Sequence, residues 1–125
     1  MRPKALGEVA RVVAAGESFH YSLSEFLDEF YLAPSQKALA TEPELLRGAL
    51  PKGDIYDAYL AATAEALACK YDLDTPAWAY HPKRQLHHPW FALNYASLRA
   101  VLLWESPPAF RSRNLFVSEN ALSRA

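Results

Sequence analysis

Cysteine is almost missing from this chain. Cys69 is the only one among 125 residues, so no intrachain disulfide can form and a reducing cytoplasm is the expected compartment. Glycine is scarce as well. The four glycines, Gly7, Gly16, Gly48 and Gly53, form neither a Gly-x-Gly nor a Walker-type spacing, which excludes the familiar phosphate-cradling loops. Long apolar runs are absent. No stretch approaches the roughly 18 uncharged apolar residues of a membrane-spanning helix, and Glu8 and Arg11 interrupt the apolar N-terminal stretch before it could serve as a signal-peptide core. Nor is there a Gly-x-Ser-x-Gly elbow, an HEXXH, a CxxC or a kinase-like set.

What is present is an ordinary globular composition, 51% hydrophobic and 22% charged, in a length that fits one domain spanning residues 1–125. The net charge of −1 conceals an asymmetry. Residues 1–82 hold seven Lys/Arg against twelve Asp/Glu, whereas residues 83–125 hold Lys83, Arg84, Arg99, Arg111, Arg113 and Arg124 against only Glu105 and Glu119. Two readings follow: the halves pair with each other inside the fold, or the basic half meets an acidic partner protein or nucleic acid. Six cations spread over that length make a weak nucleic-acid signal.

Nine prolines punctuate a helical pattern. Arg2-Pro3 opens an amphipathic stretch with Leu6, Val9, Ala10 and Val13 on one face and Gly16 as its stop. Ser22-Leu-Ser-Glu25 reads as a capping box for a helix carrying Leu23, Phe26, Leu27, Phe30 and Tyr31 and ending before Pro34. Thr41-Glu-Pro-Glu44 repeats that pattern for a short helix through about Leu50. Asp54 to about Tyr71 is the longest candidate. Alanine-rich and apolar on most sides, it belongs at the centre of the fold, with Cys69 as a small core residue.

From Leu73 to Trp90 the pattern loosens into an ordered loop with one turn at Thr75-Pro76-Ala77-Trp78, and Trp78, Tyr80, Trp90 and Phe91 anchor it to the core. A helix over about Asn94–Glu105 follows, its apolar surface supplied by Leu98, Val101, Leu102 and Trp104. Ser106 then caps a short helix through Phe110 and Arg111. Leu115-Phe116-Val117 is strand-like but finds no second strand-like run, and Ser118 caps a last turn. The fold class is all-α: a single-domain bundle of five or six helices with a Pro/Trp/His-rich ordered loop.

Candidate chemistry is thin. His81, His87 and His88 lie close in sequence and His20 is available to join them, but no zinc-type ligand spacing is present, so neither a metal nor a cofactor is expected. Asp28-Glu29 reads as a helix surface, and Asp54 with Asp57 as favourable charge at a helix N-terminus. The richest segment is Ser106–Ala125, where Arg111, Arg113 and Asn114 have no sufficient structural reason. They are the candidate partner-binding residues, because the guanidinium fork suits carboxylates and interface anchoring.

The order Thr75-Pro76-x-Trp78, Pro89-Trp90-Phe91, Leu98-Arg99-Ala100 and Glu105-Ser106-Pro107-x-x-Phe110-Arg111-x-Arg113-Asn114-x-Phe116-Val117-Ser118 covers the C-terminal half. It resembles a group of uncharacterised bacterial domains found alone or behind helix-turn-helix segments, often beside nucleotidyltransferase-type toxin components. The resemblance implies an antitoxin-like or regulatory partner module with a protein partner, and it carries over no catalytic residues. No clear helix-turn-helix precedes the matching residues. The leading expectation is therefore a cytoplasmic, non-catalytic interaction protein; the alternatives are a nucleic-acid-binding regulator and an enzyme of unrecognised type.

Overall fold

A computed structural model describes residues 2–93 and 95–124. Among them are six α-helices and one pair of two-residue strands, in the order α1 (Leu6–Ala14), α2 (Phe19–Leu32), α3 (Lys37–Ala40), α4 (Gly53–Lys70), β1 (Trp90–Phe91), α5 (Ala96–Glu105), α6 (Pro108–Arg111) and β2 (Leu115–Phe116). The predominance of helix agrees with the expected class. The strands do not.

Helix α1 buries the four residues its periodicity singles out, Leu6, Val9, Ala10 and Val13, and ends at Gly16, whose φ of +115° suits glycine. Helix α2 begins a turn earlier than the Ser22 box implies. Ser18 is the cap, its hydroxyl accepting from the Tyr21 N–H at 3.2 Å, while Ser22 is buried. Leu23, Phe26, Leu27 and Phe30 face inward, and the helix stops before Pro34.

Helix α4 is the organising element. Ala61, Ala64, Leu67 and Ala68 meet α1 and α2 in one apolar cluster, and Ala58 and Ala62 meet Phe110, Leu115 and Val117 in a second. Small alanines on both sides allow this close double contact, and Tyr59 and Leu122 border both clusters. Its first residue has no room for a side chain: a Cβ on Gly53 would lie 1.9 Å from the Leu46 carbonyl oxygen. Cys69, expected in the core, is exposed in the last turn. The inward positions of that turn are Leu67 and Ala68, and Cys69 falls on the far side of the helix.

No helix forms over residues 41–50, contrary to the second capping-box reading. A turn takes its place, held by tertiary partners that compete with helix formation. The Asp57 carboxylate accepts from the Leu46 N–H at 2.6 Å and the Arg47 N–H at 3.1 Å. Buried Arg84 donates to the Pro43 and Asp57 carbonyls and pairs with Glu42 at 3.3 Å. Asp57 is thus a fully buried anchor rather than a surface charge at a helix start. Burial pushes its carboxyl up, opposed by the two amides and by the Arg84 and Arg47 charges. Asp57→Ala orphans two backbone donors and leaves Arg84 with Glu42 alone of its two nearby carboxylates, so a loss of about 2 kcal/mol is expected, measured by urea unfolding followed by circular dichroism.

The Pro/Trp/His-rich loop is ordered, with 3-10 turns at Ala77–Tyr80 and Pro82–Arg84. Trp78 anchors it, its Nε1–H donating to the Leu39 carbonyl at 3.1 Å, but Tyr80 is exposed and anchors nothing in the core. Strand β1, read from sequence as loop, is the missing partner of β2. The two run parallel, with Trp90 opposite Leu115 and Phe91 opposite Phe116, and the Phe91 and Phe116 rings stack at 4.9 Å.

Candidate protein-interaction surface

The three C-terminal residues singled out from sequence separate in the structure. Arg113 is 2% exposed; it donates to Glu65 at 2.6 Å, to the Ala109 carbonyl at 2.6 Å and to the Ala79 carbonyl at 2.8 Å. Asn114 sits at φ +64°, with its side-chain amide donating to the Leu86 carbonyl at 2.7 Å and its own carbonyl accepting from the Trp90 N–H at 2.9 Å. Both residues hold the C-terminal segment against α4 and the loop. Arg111 is exposed and, among the described residues, makes no ion pair and no side-chain hydrogen bond.

The same accounting dissolves much of the charge asymmetry. Arg84 pairs with Glu42, Arg113 with Glu65 and Arg124 with Asp28, so half of the six cations after residue 82 meet carboxylates from the N-terminal part. Hydrogen bonding to Arg124 holds the Asp28 carboxyl below its usual range. Lys83, Arg99 and Arg111 are exposed without an ion pair among the described residues.

The histidines fall apart in a similar way. His20 lies on α2, and His81 caps the Pro82 turn, its Nδ1 accepting from the Lys83 N–H at 3.1 Å. His87 and His88 line an open cleft of about 260 Å³ with Arg47 and a single carboxylate, Asp54. Among the described residues no three His, Cys, Asp or Glu side chains gather where they could hold a metal ion. No helix among them is long and apolar enough to cross a membrane.

The surface that lacks an internal explanation is α5. Alanine, leucine and arginine give its sequence, ASLRAVLLWE, good helix propensity, and Pro107 and Pro108 close it. Its packing is one-sided. Leu102 is its only buried residue, while Tyr95 just ahead of it is 75% exposed, Val101 48%, Leu103 49% and Trp104 86%. Leu93 and Leu98 are exposed beside them, and the Arg99 guanidinium rides over the Phe91 ring at 5.3 Å. Isolated apolar side chains on a surface are unremarkable, but six exposed within twelve residues, including a Trp and a Tyr, are a concentration that packing inside the fold does not explain.

The helix is nevertheless held in place. The buried Ser106 hydroxyl accepts from the Val117 N–H at 2.8 Å and lies 2.5 Å from the Leu102 carbonyl, tying the end of α5 to the residue after β2. Ser106 is thus a tie between elements rather than the cap of α6, whose preceding residue is Pro107. Ser106→Ala leaves the Val117 amide unpaired and is expected to cost about 1.5 kcal/mol, with faster amide exchange at Val117 as the local readout.

Sequence reasoning counted Leu98, Val101 and Trp104 as packing surface of this helix. The sequence does not separate them, because apolar residues occur all round α5 and periodicity marks no single buried face. No protein-family model, curated protein or solved structure matches the chain.

Proposed function

We propose that this chain is a non-catalytic interaction protein, the antitoxin-like half of a two-protein pair, and that it grips its protein partner through α5. The observation that carries the reading is the apolar surface of that helix, with the Trp104 and Tyr95 side chains largely exposed. Trp, Tyr and Arg dominate the energetic centres of protein interfaces, and α5 offers Trp104 and Arg99 with Tyr95 at its start. The matching partner is an apolar groove bordered by carboxylates, which would meet Arg99 on the helix and Arg111 on α6.

The resemblance to domains that neighbour nucleotidyltransferase-type toxins supplies the class of partner. The test is co-expression with the product of the adjacent gene, followed by affinity capture and size-exclusion chromatography with light scattering. A stoichiometric complex lost in Trp104→Glu supports the reading. A chain that covers α5 by pairing with itself, or that captures the neighbour equally well as Trp104→Glu, overturns it.

A further inference from the structure

A second feature, independent of α5, lies where α2, α4 and the β1–β2 pair come together. A cavity of about 360 Å³ opens there, lined by aromatic walls from Phe19, Tyr56, Tyr59 and Trp90 above the buried Leu23 and Val117. Phe19 and Tyr56 stack at 4.3 Å with 8° between ring planes, and Tyr59 stands edge-on to Phe19 at 5.5 Å. The volume falls within the range of small-molecule sites, and the walls favour a flat ring system that stacks or meets them edge-to-face.

The lining carries two basic side chains and several hydroxyls. His20 and Lys52 are exposed at its edge and form no ion pair among the described residues. The Tyr59 hydroxyl and the Trp90 Nε1–H donate to no acceptor among them either. Burial pushes the Tyr59 hydroxyl up to about 12, so it keeps its proton and remains a donor at neutral pH. No Asp or Glu lines this cavity itself, although it shares His20 and Lys52 with an adjoining recess that contains Glu17. Hydrogen-bond donors and the Lys52 ammonium, with no carboxylate in the lining itself, suit an occupant that brings acceptors and negative charge.

We infer that this cavity is a binding site for a small aromatic carboxylic acid, its ring between the aromatic walls and its carboxylate at Lys52 and His20. The probe is 2-naphthoate, titrated into the full chain at neutral pH and low salt by isothermal calorimetry, with the uncharged 2-naphthamide alongside. The expected result is saturable one-to-one binding of the acid with a Kd on the order of 100 μM, and binding of the amide weaker by at least about fivefold. Lys52→Met brings the acid down to the affinity of the amide and leaves the amide unchanged. Ala121→Phe, which fills the cavity from its rim, abolishes both, with retained helical circular dichroism showing that the chain is folded. Absence of saturable binding at 2 mM, equal affinity for acid and amide, or binding by Ala121→Phe equal to the parent overturns the assignment. Trp104→Glu leaves naphthoate binding intact, so failure of the α5 reading and failure of this one are separately visible.

Discussion

Arg113→Ala is expected to destabilise the fold by about 3–5 kcal/mol, the range for removing one partner of a buried ion pair. The residue lies almost wholly inside the protein, and its guanidinium joins three parts of the chain: Glu65 on α4, the Ala79 carbonyl in the loop and the Ala109 carbonyl on α6. Alanine leaves two buried carbonyls and a carboxylate without their donor and opens a cavity beneath Tyr80, whose ring the guanidinium faces at 5.8 Å. A domain of this size is stable by about 5–15 kcal/mol, so the loss is a large fraction of the whole. Thermal unfolding followed by circular dichroism should show a midpoint lower by roughly 15 °C. A change of less than about 2 °C would show that the network contributes little. Charge reversal at Arg113 is accordingly no test of a surface. Arg111→Glu is, because that side chain is exposed.

Trp104→Glu should have the opposite profile, leaving stability within about 0.5 kcal/mol because the side chain is 86% exposed, while weakening partner binding about a hundredfold or more. The magnitude follows from removing a central aromatic anchor and burying a carboxylate against an apolar groove. Arg111→Glu, an exposed charge at the end of α6, is expected to cost less than about tenfold and to act mainly on the association rate. Surface plasmon resonance with the immobilised partner separates the two: Trp104→Glu raises the dissociation rate, and Arg111→Glu lowers the association rate. Unchanged kinetics for Trp104→Glu would remove α5 from the interface.

These two variants interchange the roles that composition and spacing suggested. Arginines near the end of the chain looked free for a partner, and the apolar residues of α5 looked like packing surface. Side-chain chemistry does not tell whether an arginine spends its five donors inside or outside. That depends on which carbonyls the fold leaves unpaired nearby, and Ala79 lies 34 residues from Arg113 along the chain.

Local chemistry alone dictates most of the helical framework. The 3.6-residue spacing of Leu6, Val9, Ala10 and Val13, the alanine density of residues 58–68 and the prolines that close α2 and α5 each act within one or two turns. The features that escape such reading depend on distant partners. Thr41–Leu50 carries a capping-box pattern, yet Asp57 and Arg84 take its backbone groups and hold it as a turn. Trp90–Phe91 is too short to announce itself as a strand and becomes one because Leu115–Phe116 lies beside it. The apolar face of α5 exists for the same reason. Periodicity says that a helix forms there, but only the tertiary arrangement, with Phe110, Arg113, Leu115 and Val117 packed on α4, decides that Leu102 is buried while Tyr95, Val101, Leu103 and Trp104 face solvent.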